Sequence, residues 1–102
     1  MSKAYELGLY EKAMPGTLTW KERLEAAKAA GYDYVEISID ATEEKIARLD
    51  MDRESRLELV KTMYETGIPI RTMCVSALTK YAIGSSDEAC CARGMAILEK
   101  SL

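Results

Sequence analysis

The feature that most constrains the fold of this chain is a repeat of roughly 30 residues, the length of a strand joined to a helix. In each repeat a short apolar run is followed by a turn and an amphipathic segment: "YELGLY" with "TWKERLEAAKAAG", "YDYVEISID" with "DRESRLELVKTMYETG", and "IPIRTMCVSA" with "SSDEACCARGMAILEKSL". Parallel strands need helical crossovers, so this alternation favours a parallel sheet. We predict an α/β fold of three consecutive βα units with parallel strands, occupying residues 1–102 as a single partial domain.

Capping residues and apolar spacing locate the three helices within these units. Polar residues that can cap a helix and glycines that can end one mark the boundaries. The predicted caps and stops are Thr19 with Glu22, Gly31, Asp52, Gly67 and Ser86. Residues at helical spacing in the first helix are Trp20, Leu24, Ala27 and Ala30, and those on one side of the second are Leu57, Val60, Met63 and Tyr64. In the third helix, the residues that could face inward include Ala89, Ala92, Met95, Ala96 and Leu98. A further short helical turn is expected in "ATEEKIARL", where Asp40 with Thr42 can act as a cap.

The strands are asymmetric, because side chains alternate between the two faces. In the second strand Val35, Ile37 and Ile39 share an apolar face, and the opposite face carries Tyr34, Glu36, Ser38 and Asp40. The first strand sets Leu7 and Leu9 against Gly8 and Tyr10, and the third sets Met73 and Val75 against Thr72, Cys74 and Ser76. An apolar face towards helices and a smaller, more polar face towards a lumen are typical of a (β/α)8 barrel. Such a barrel needs eight units and ~250 residues, so we predict an incomplete TIM barrel.

Charge and residue usage exclude several classes of function. The net charge of −3 comes without a cluster of Lys and Arg, which argues against a nucleic-acid partner. Neither a membrane span nor the apolar core of a signal peptide is present in the sequence, so we expect a cytoplasmic protein that does not bind membranes. The chain has no histidine, the usual general base and a common metal ligand. Its three cysteines lack metal-binding spacing and are expected to be reduced.

Five segments of the chain resemble one enzyme family. "LGLYEKAMP", "WKERLEAAKAAGYDYVEISID", "RLDMDRESRLELV", "ETGIPIRTMCVSA" and "IGSSDEA" are together similar to the N-terminal portion of the L-ribulose-5-phosphate 3-epimerases, also called L-xylulose-5-phosphate 3-epimerases. These are xylose-isomerase-like sugar phosphate isomerase/epimerase barrels of ascorbate utilisation. The resemblance runs through nearly all of this chain and covers about a third of a family member. It implies a truncated gene product, a fragment or an engineered piece.

The resemblance also implies a reaction. In the full-length family a divalent metal polarises the carbonyl of a pentulose 5-phosphate while two carboxylates move a proton at C3, interconverting L-ribulose 5-phosphate and L-xylulose 5-phosphate. A metal suits this step because it stabilises the developing oxyanion. The family's metal ligands and catalytic groups lie on later strands, so no catalytic or metal-binding residue is carried over. No cofactor is expected to bind this chain alone, and the chain alone is expected to be inactive.

The substrate-facing positions of the three strands are the candidate site. In TIM barrels these groups lie at the carboxyl ends of strands. The predicted substrate-binding residues are Tyr10, Glu11, Lys12, Glu36, Ser38 and Ser76. Glu36 ranks first, because a carboxylate in the middle of a strand must be paired or hydrogen-bonded if it is buried.

Each candidate also has a structural interpretation. Glu11 and Lys12 can be a solvated pair, Cys74 can be core, and Glu36 can pair with a residue such as Lys12. After "MCVSA" the family continues with His and Arg, where this chain has Leu78 and Thr79. Neither residue can replace the charges of that motif, so the resemblance implies no substrate contact at this position.

Two other classes of function remain open. A non-enzymatic fragment could act through oligomerisation, since an open parallel sheet exposes edge strands and is expected to self-associate. A third hypothesis is a small flavodoxin-like domain that binds a nucleotide. Against it, the segment "EKAMPGTLTW" after the first strand holds a single Gly, whereas a phosphate-binding loop is rich in glycine.

Overall fold

The computed structural model describes residues 4–102. Its strands are β1 (Gly8–Tyr10), β2 (Tyr34–Ser38) and β3 (Ile70–Cys74), and its helices are α1 (Trp20–Ala29), α2 (Glu43–Ile46), α3 (Arg53–Thr66) and α4 (Glu88–Ser101). Short 3-10 turns span Glu11–Ala13, Ala47–Asp50 and Ser76–Thr79. The described residues divide into two compact units, one reaching to Ile37 and including Asp52–Met73, the other made of Ser38–Met51 and Cys74–Leu102.

The strands form one sheet in the order β1-β2-β3. β1 and β2 are parallel, with Gly8 opposite Tyr34 and Tyr10 opposite Glu36. A Cβ at Gly8 would meet the end of the Tyr34 ring, so a side chain at this position would displace that ring. The predicted α/β fold of parallel strands alternating with helices is confirmed, and the open sheet is consistent with an incomplete TIM barrel.

The core of the first unit lies between the sheet and its helices. It is formed by Leu24, Ala27, Val35 and Ile68, all almost completely buried. Burying a side chain the size of Val or Leu contributes about 1.5–3 kcal/mol, so the apolar face of β2 anchors this unit. α1 and α3 pack against each other here.

Most predicted helix boundaries are confirmed. The hydroxyl of Thr19 accepts the Glu22 amide, and the Glu22 carboxylate accepts the Thr19 amide, which completes a capping box. Asp52 caps α3 through the Ser55 amide. Gly31 and Gly67 follow their helices with φ of 91° and 76°, the left-handed region in which glycine meets no steric cost. Thr42 caps α2 by accepting the Lys45 amide, and Asp40 accepts the Thr42 amide and hydroxyl.

Only part of the predicted apolar side of α3 packs on the core. Leu57 and Tyr64 have exposed fractions of 55% and 85%, and Val60 is also exposed. Of the four predicted residues, Met63 packs on the core, and the buried residue of the inward face is Thr66. The helix has two neighbouring apolar stripes, and spacing alone does not choose between them.

The prediction for α4 was also wrong in its cap and its inward face. Asp87, not Ser86, caps the helix, accepting the amides of Ala89 and Cys90. The buried positions are Gly94 and Ile97, whereas Ala89, Ala92, Met95 and Ala96 are exposed. The physical reason is a chain segment, residues 80–83, that packs on the face carrying Gly94. Helical periodicity in a sequence does not show which face of a helix a loop will cover.

Two strand predictions need correction as well. The first strand is shorter than "YELGLY", because only Gly8–Tyr10 pairs with β2. Met73, expected on the helix-covered face of the third strand, is exposed. Both strands, β1 and β3, lie at an edge of the sheet. At an edge, the burial of a side chain depends on its neighbours more than on the alternation of faces.

Candidate functional site

Glu36 lies in the middle of β2 and is half-buried. Tyr10 of β1 is its partner in the sheet register, and the Thr72 hydroxyl of β3 donates to Glu36 Oε2 at 2.7 Å. All three strands therefore contribute to one polar group on the sheet. An ionised carboxylate has about four lone-pair positions, so Glu36 retains acceptor capacity beyond the Thr72 bond. A sugar hydroxyl is the kind of donor that would use it.

Glu11 lies in a different environment from the one predicted for it. It is only 2% exposed, and its Oε2 is 3.6 Å from Nη1 of Arg23, which is also buried. The Arg23 guanidinium stacks 4.9 Å from the centre of the Trp20 ring and donates to the Gly16 carbonyl. Glu11 thus joins the turn after β1 to α1. Sequence reasoning missed Arg23, although a cation between Trp20 and Leu24 on an apolar helix face was a signal for a buried partner.

Tyr10 and Lys12 flank Glu11 at the carboxyl end of β1. Tyr10 is half-buried as the last residue of the strand, and Lys12 is exposed in the 3-10 turn. Directly after β1, the side chain of Glu11 is therefore buried and that of the next residue, Lys12, faces solvent. Their position at the end of a parallel strand is the one at which barrel enzymes place binding groups.

In the second unit, Ser38 and Ser76 lie on neighbouring chain segments. The amide of Ile39 donates to the Cys74 carbonyl at 2.9 Å, and the amide of Ala77 donates to the Ile39 carbonyl at 3.0 Å. Ser38 is fully buried, and its carbonyl accepts a bond from Arg48. Ser76 is half-buried and begins a 3-10 turn whose end is fastened by Thr79, which donates to the Ser76 carbonyl.

Arg93 was not singled out by the sequence, yet it joins two parts of the second unit. Its Nη2 lies 2.8 Å from both carboxylate oxygens of Glu43. The hydrogen bond from Arg93 lowers the pKa of Glu43 below its ordinary value, and the same bond raises the pKa of Arg93. Because Glu43 and Arg93 are fifty residues apart, no local pattern could have paired them.

The described residues do not contain a donor set for a metal ion. Within residues 4–102, no three side chains of His, Cys, Asp or Glu cluster closely enough to hold one. Cys74, Cys90 and Cys91 are free thiols. The residues present therefore do not by themselves fit the divalent metal that the family resemblance implies.

Over the same described part of the chain, none of the helices has the length and apolar character to cross a bilayer.

The fold and the positions of these residues define the structural class of the protein. Parallel strands joined by helices, with polar side chains at the carboxyl ends, form a partial α/β sheet consistent with part of a TIM barrel. Sequence comparison then specifies the relatives. The chain is 46% identical over all 102 residues to the L-ribulose-5-phosphate 3-epimerase UlaE of Escherichia coli O139:H28 and of Escherichia coli O157:H7. A putative L-ribulose-5-phosphate 3-epimerase UlaE of Shigella dysenteriae serotype 1 matches equally well.

The matched region is the N-terminal 36% of these relatives, so the chain spans about a third of their length. No family model matches the chain. The predicted resemblance to the N-terminal portion of L-ribulose-5-phosphate 3-epimerases is confirmed.

Proposed function

We propose that this chain supplies the first three βα units of a sugar-phosphate 3-epimerase that interconverts L-ribulose 5-phosphate and L-xylulose 5-phosphate. The observation that carries the proposal is the 46% identity over all 102 residues. The polar group around Glu36 supports it, because a half-buried carboxylate on the sheet can accept hydrogen bonds from the hydroxyls of a pentulose.

The proposed division of labour follows from the residues present. Tyr10 and Glu36 of the first unit contribute substrate contacts in this proposal, and Ser76 of the second unit contributes a contact of its own. Proton transfer at C3, and the divalent metal that assists it, belong in this proposal to the part of the enzyme that lies beyond the matched region. Leu78 and Thr79 are uncharged, so neither supplies a charge to a phosphate group. Leu78 is half-buried, and the Thr79 hydroxyl bonds to the backbone.

The experiment that tests this proposal is a chimera, in which the chain is followed by the portion of the E. coli O157:H7 relative beyond the matched region. We expect the 102-residue chain alone to show no turnover of L-ribulose 5-phosphate, and the chimera to be active. In the chimera, Glu36→Gln should lower kcat/KM by about tenfold or more, since hydrogen bonds to a charged group contribute about 1.5–3 kcal/mol.

Glu25→Gln is the matched control, since Glu25 is an exposed carboxylate of α1 in the same unit, and it should leave kcat/KM unchanged. Turnover by the chain alone, or an inactive chimera, contradicts the proposal. Equal kcat/KM for the chimera with and without Glu36→Gln removes Glu36 from the substrate site.

Self-association is a second candidate function, in the class of interaction proteins. β1 and β3 are the outer strands of the three-stranded sheet, and α3 exposes Leu57, Val60 and Tyr64. Sheet edges and contiguous apolar surfaces favour pairing with another chain. The partner in this proposal is a second copy of the same chain, and the oligomeric state is the test.

A further inference from the structure

Arg93 lies between two segments that each follow a strand of the sheet. Glu43 belongs to α2, which comes after β2, and Tyr81 belongs to the segment after β3. The guanidinium of Arg93 places Nη2 2.8 Å from each Glu43 carboxylate oxygen and lies 4.6 Å from the centre of the Tyr81 ring. One side chain on α4 therefore contacts both segments at once.

The α4 surface around Arg93 is shaped to receive the segment 80–83. A Cβ at Gly94 would collide with the Tyr81 carbonyl oxygen, so only glycine allows this close approach. The thiols of Cys90 and Cys91 donate to the carbonyls of Lys80 and Ile83 at 3.3 and 3.0 Å. Thiols are weak donors, and Arg93 adds a charged contact with the Tyr81 ring between α4 and this segment.

Hydrogen bonds connect Tyr81 with the chain at the carboxyl ends of β2 and β3. The amides of Lys80 and Tyr81 both donate to the Ala77 carbonyl, at 3.1 and 3.0 Å. Ala77 in turn donates its amide to the Ile39 carbonyl, next to Ser38. A chain of hydrogen bonds thus connects the Arg93 contact with the backbone that carries Ser76 and Ser38.

We propose that Arg93 is a positioning residue, which holds the segment after β3 against α2 and so sets the geometry of the substrate-facing residue Ser76. This inference rests on the proposed function. The side chains of Arg93 and Glu43 are 40% and 74% exposed, and ion pairs so exposed contribute little stability. The contribution of Arg93 is therefore geometric: its guanidinium reaches the Glu43 carboxylate through Nη2 while its planar face lies over the Tyr81 ring, and the ammonium of Lys has no planar face for such stacking.

The first test measures hydrogen exchange in the full 102-residue chain. Arg93→Gln should make the amides of Lys80 and Tyr81 exchange about threefold or more faster, because the segment opens locally when its link to α4 is lost. Arg93→Lys should give an intermediate rate, and the exposed residue Arg53 offers the control Arg53→Gln, which should not change these amides. Unchanged exchange in Arg93→Gln overturns the inference.

The second test separates positioning from a merely structural role. In the active chimera, Arg93→Gln should raise KM for L-ribulose 5-phosphate about tenfold with little change in kcat, since a displaced binding segment weakens ground-state and transition-state binding alike. Unchanged KM overturns the inference. An inactive chimera overturns the proposed function instead, and the exchange rates of Lys80 and Tyr81 still decide whether Arg93 holds the segment.

Discussion

Glu11 shows how one residue can meet a sequence criterion for a binding site and serve the fold. It follows a parallel strand directly, which is where barrel enzymes place binding groups. Its carboxylate is nevertheless buried against Arg23. Arg23 Nε is buried with no hydrogen-bond partner within the described structure, so this pair is not fully satisfied.

The burial of this pair predicts a large effect of breaking it. We expect Glu11→Ala to lower the free energy of unfolding by about 3–5 kcal/mol, because it leaves the Arg23 charge buried without its carboxylate. Combining Glu11→Leu with Arg23→Met should recover most of that loss, since apolar residues of similar volume can replace a buried ion pair. Urea unfolding followed by circular dichroism measures both.

An exposed carboxylate on α1 provides the comparison for this prediction. Glu25→Ala should change the free energy of unfolding by less than about 0.5 kcal/mol, as for most surface substitutions. A Glu11→Ala variant as stable as Glu25→Ala would show that Glu11 does not stabilise the fold, and would favour its predicted role in substrate binding.

At the scale of elements, the N-terminus of α1 is closed by local interactions. These are reciprocal hydrogen bonds between Thr19 and Glu22. The bond from the Thr19 backbone amide lowers the pKa of Glu22 below its ordinary value of 4.5. A carboxylate whose pKa is lowered in the folded state stabilises that state above its unfolded pKa, and the stabilisation is lost as the pH falls through the folded pKa.

Thr19→Ala should therefore lower the free energy of unfolding at pH 7 by about 1 kcal/mol, the usual contribution of an N-cap side chain. Glu22→Gln retains an acceptor that does not titrate, so its stability should fall less steeply than that of the natural chain below the ordinary Glu22 pKa of 4.5. Thermal unfolding at a series of pH values measures both effects.

Thr17 is exposed two residues before the cap, so Thr17→Ala is the matched control and should leave the unfolding midpoint unchanged. If Thr19→Ala unfolds at the same temperature as Thr17→Ala, the capping box does not stabilise α1.

At the scale of the whole molecule, the uncovered surfaces predict association between copies. The exposed stripe of α3 and the outer strands of the sheet leave apolar and hydrogen-bonding groups without cover from the described residues. We expect the average mass from light scattering to rise towards twice that of the chain as its concentration increases, because burying exposed apolar side chains favours the dimer.

Replacing Leu57 and Tyr64 together, as Leu57→Glu and Tyr64→Lys, should return the mass to that of a single chain. Glu58→Lys changes an exposed charge outside the stripe and should not. A constant single-chain mass at every concentration would contradict self-association through these surfaces.

Much of this structure follows from the sequence alone, because it depends on interactions between residues close along the chain. The alternation of strands and helices, the Thr19 and Asp52 caps, the glycine stops and the buried face of β2 are all set within a few residues. The similarity to the N-terminal portion of the epimerases is likewise read from consecutive residues, and the comparisons confirm it.

Tertiary structure decided what depends on residues distant in sequence. Which stripe of α3 is buried, why α4 presents Gly94 inward, and the pairings of Glu11 with Arg23, Glu36 with Thr72 and Arg93 with Glu43 all required knowing which segments meet. The physical reason is that periodicity and capping report a side chain's own helix or strand. Burial and charge pairing depend on the partner, and the partner is brought near only when the chain folds.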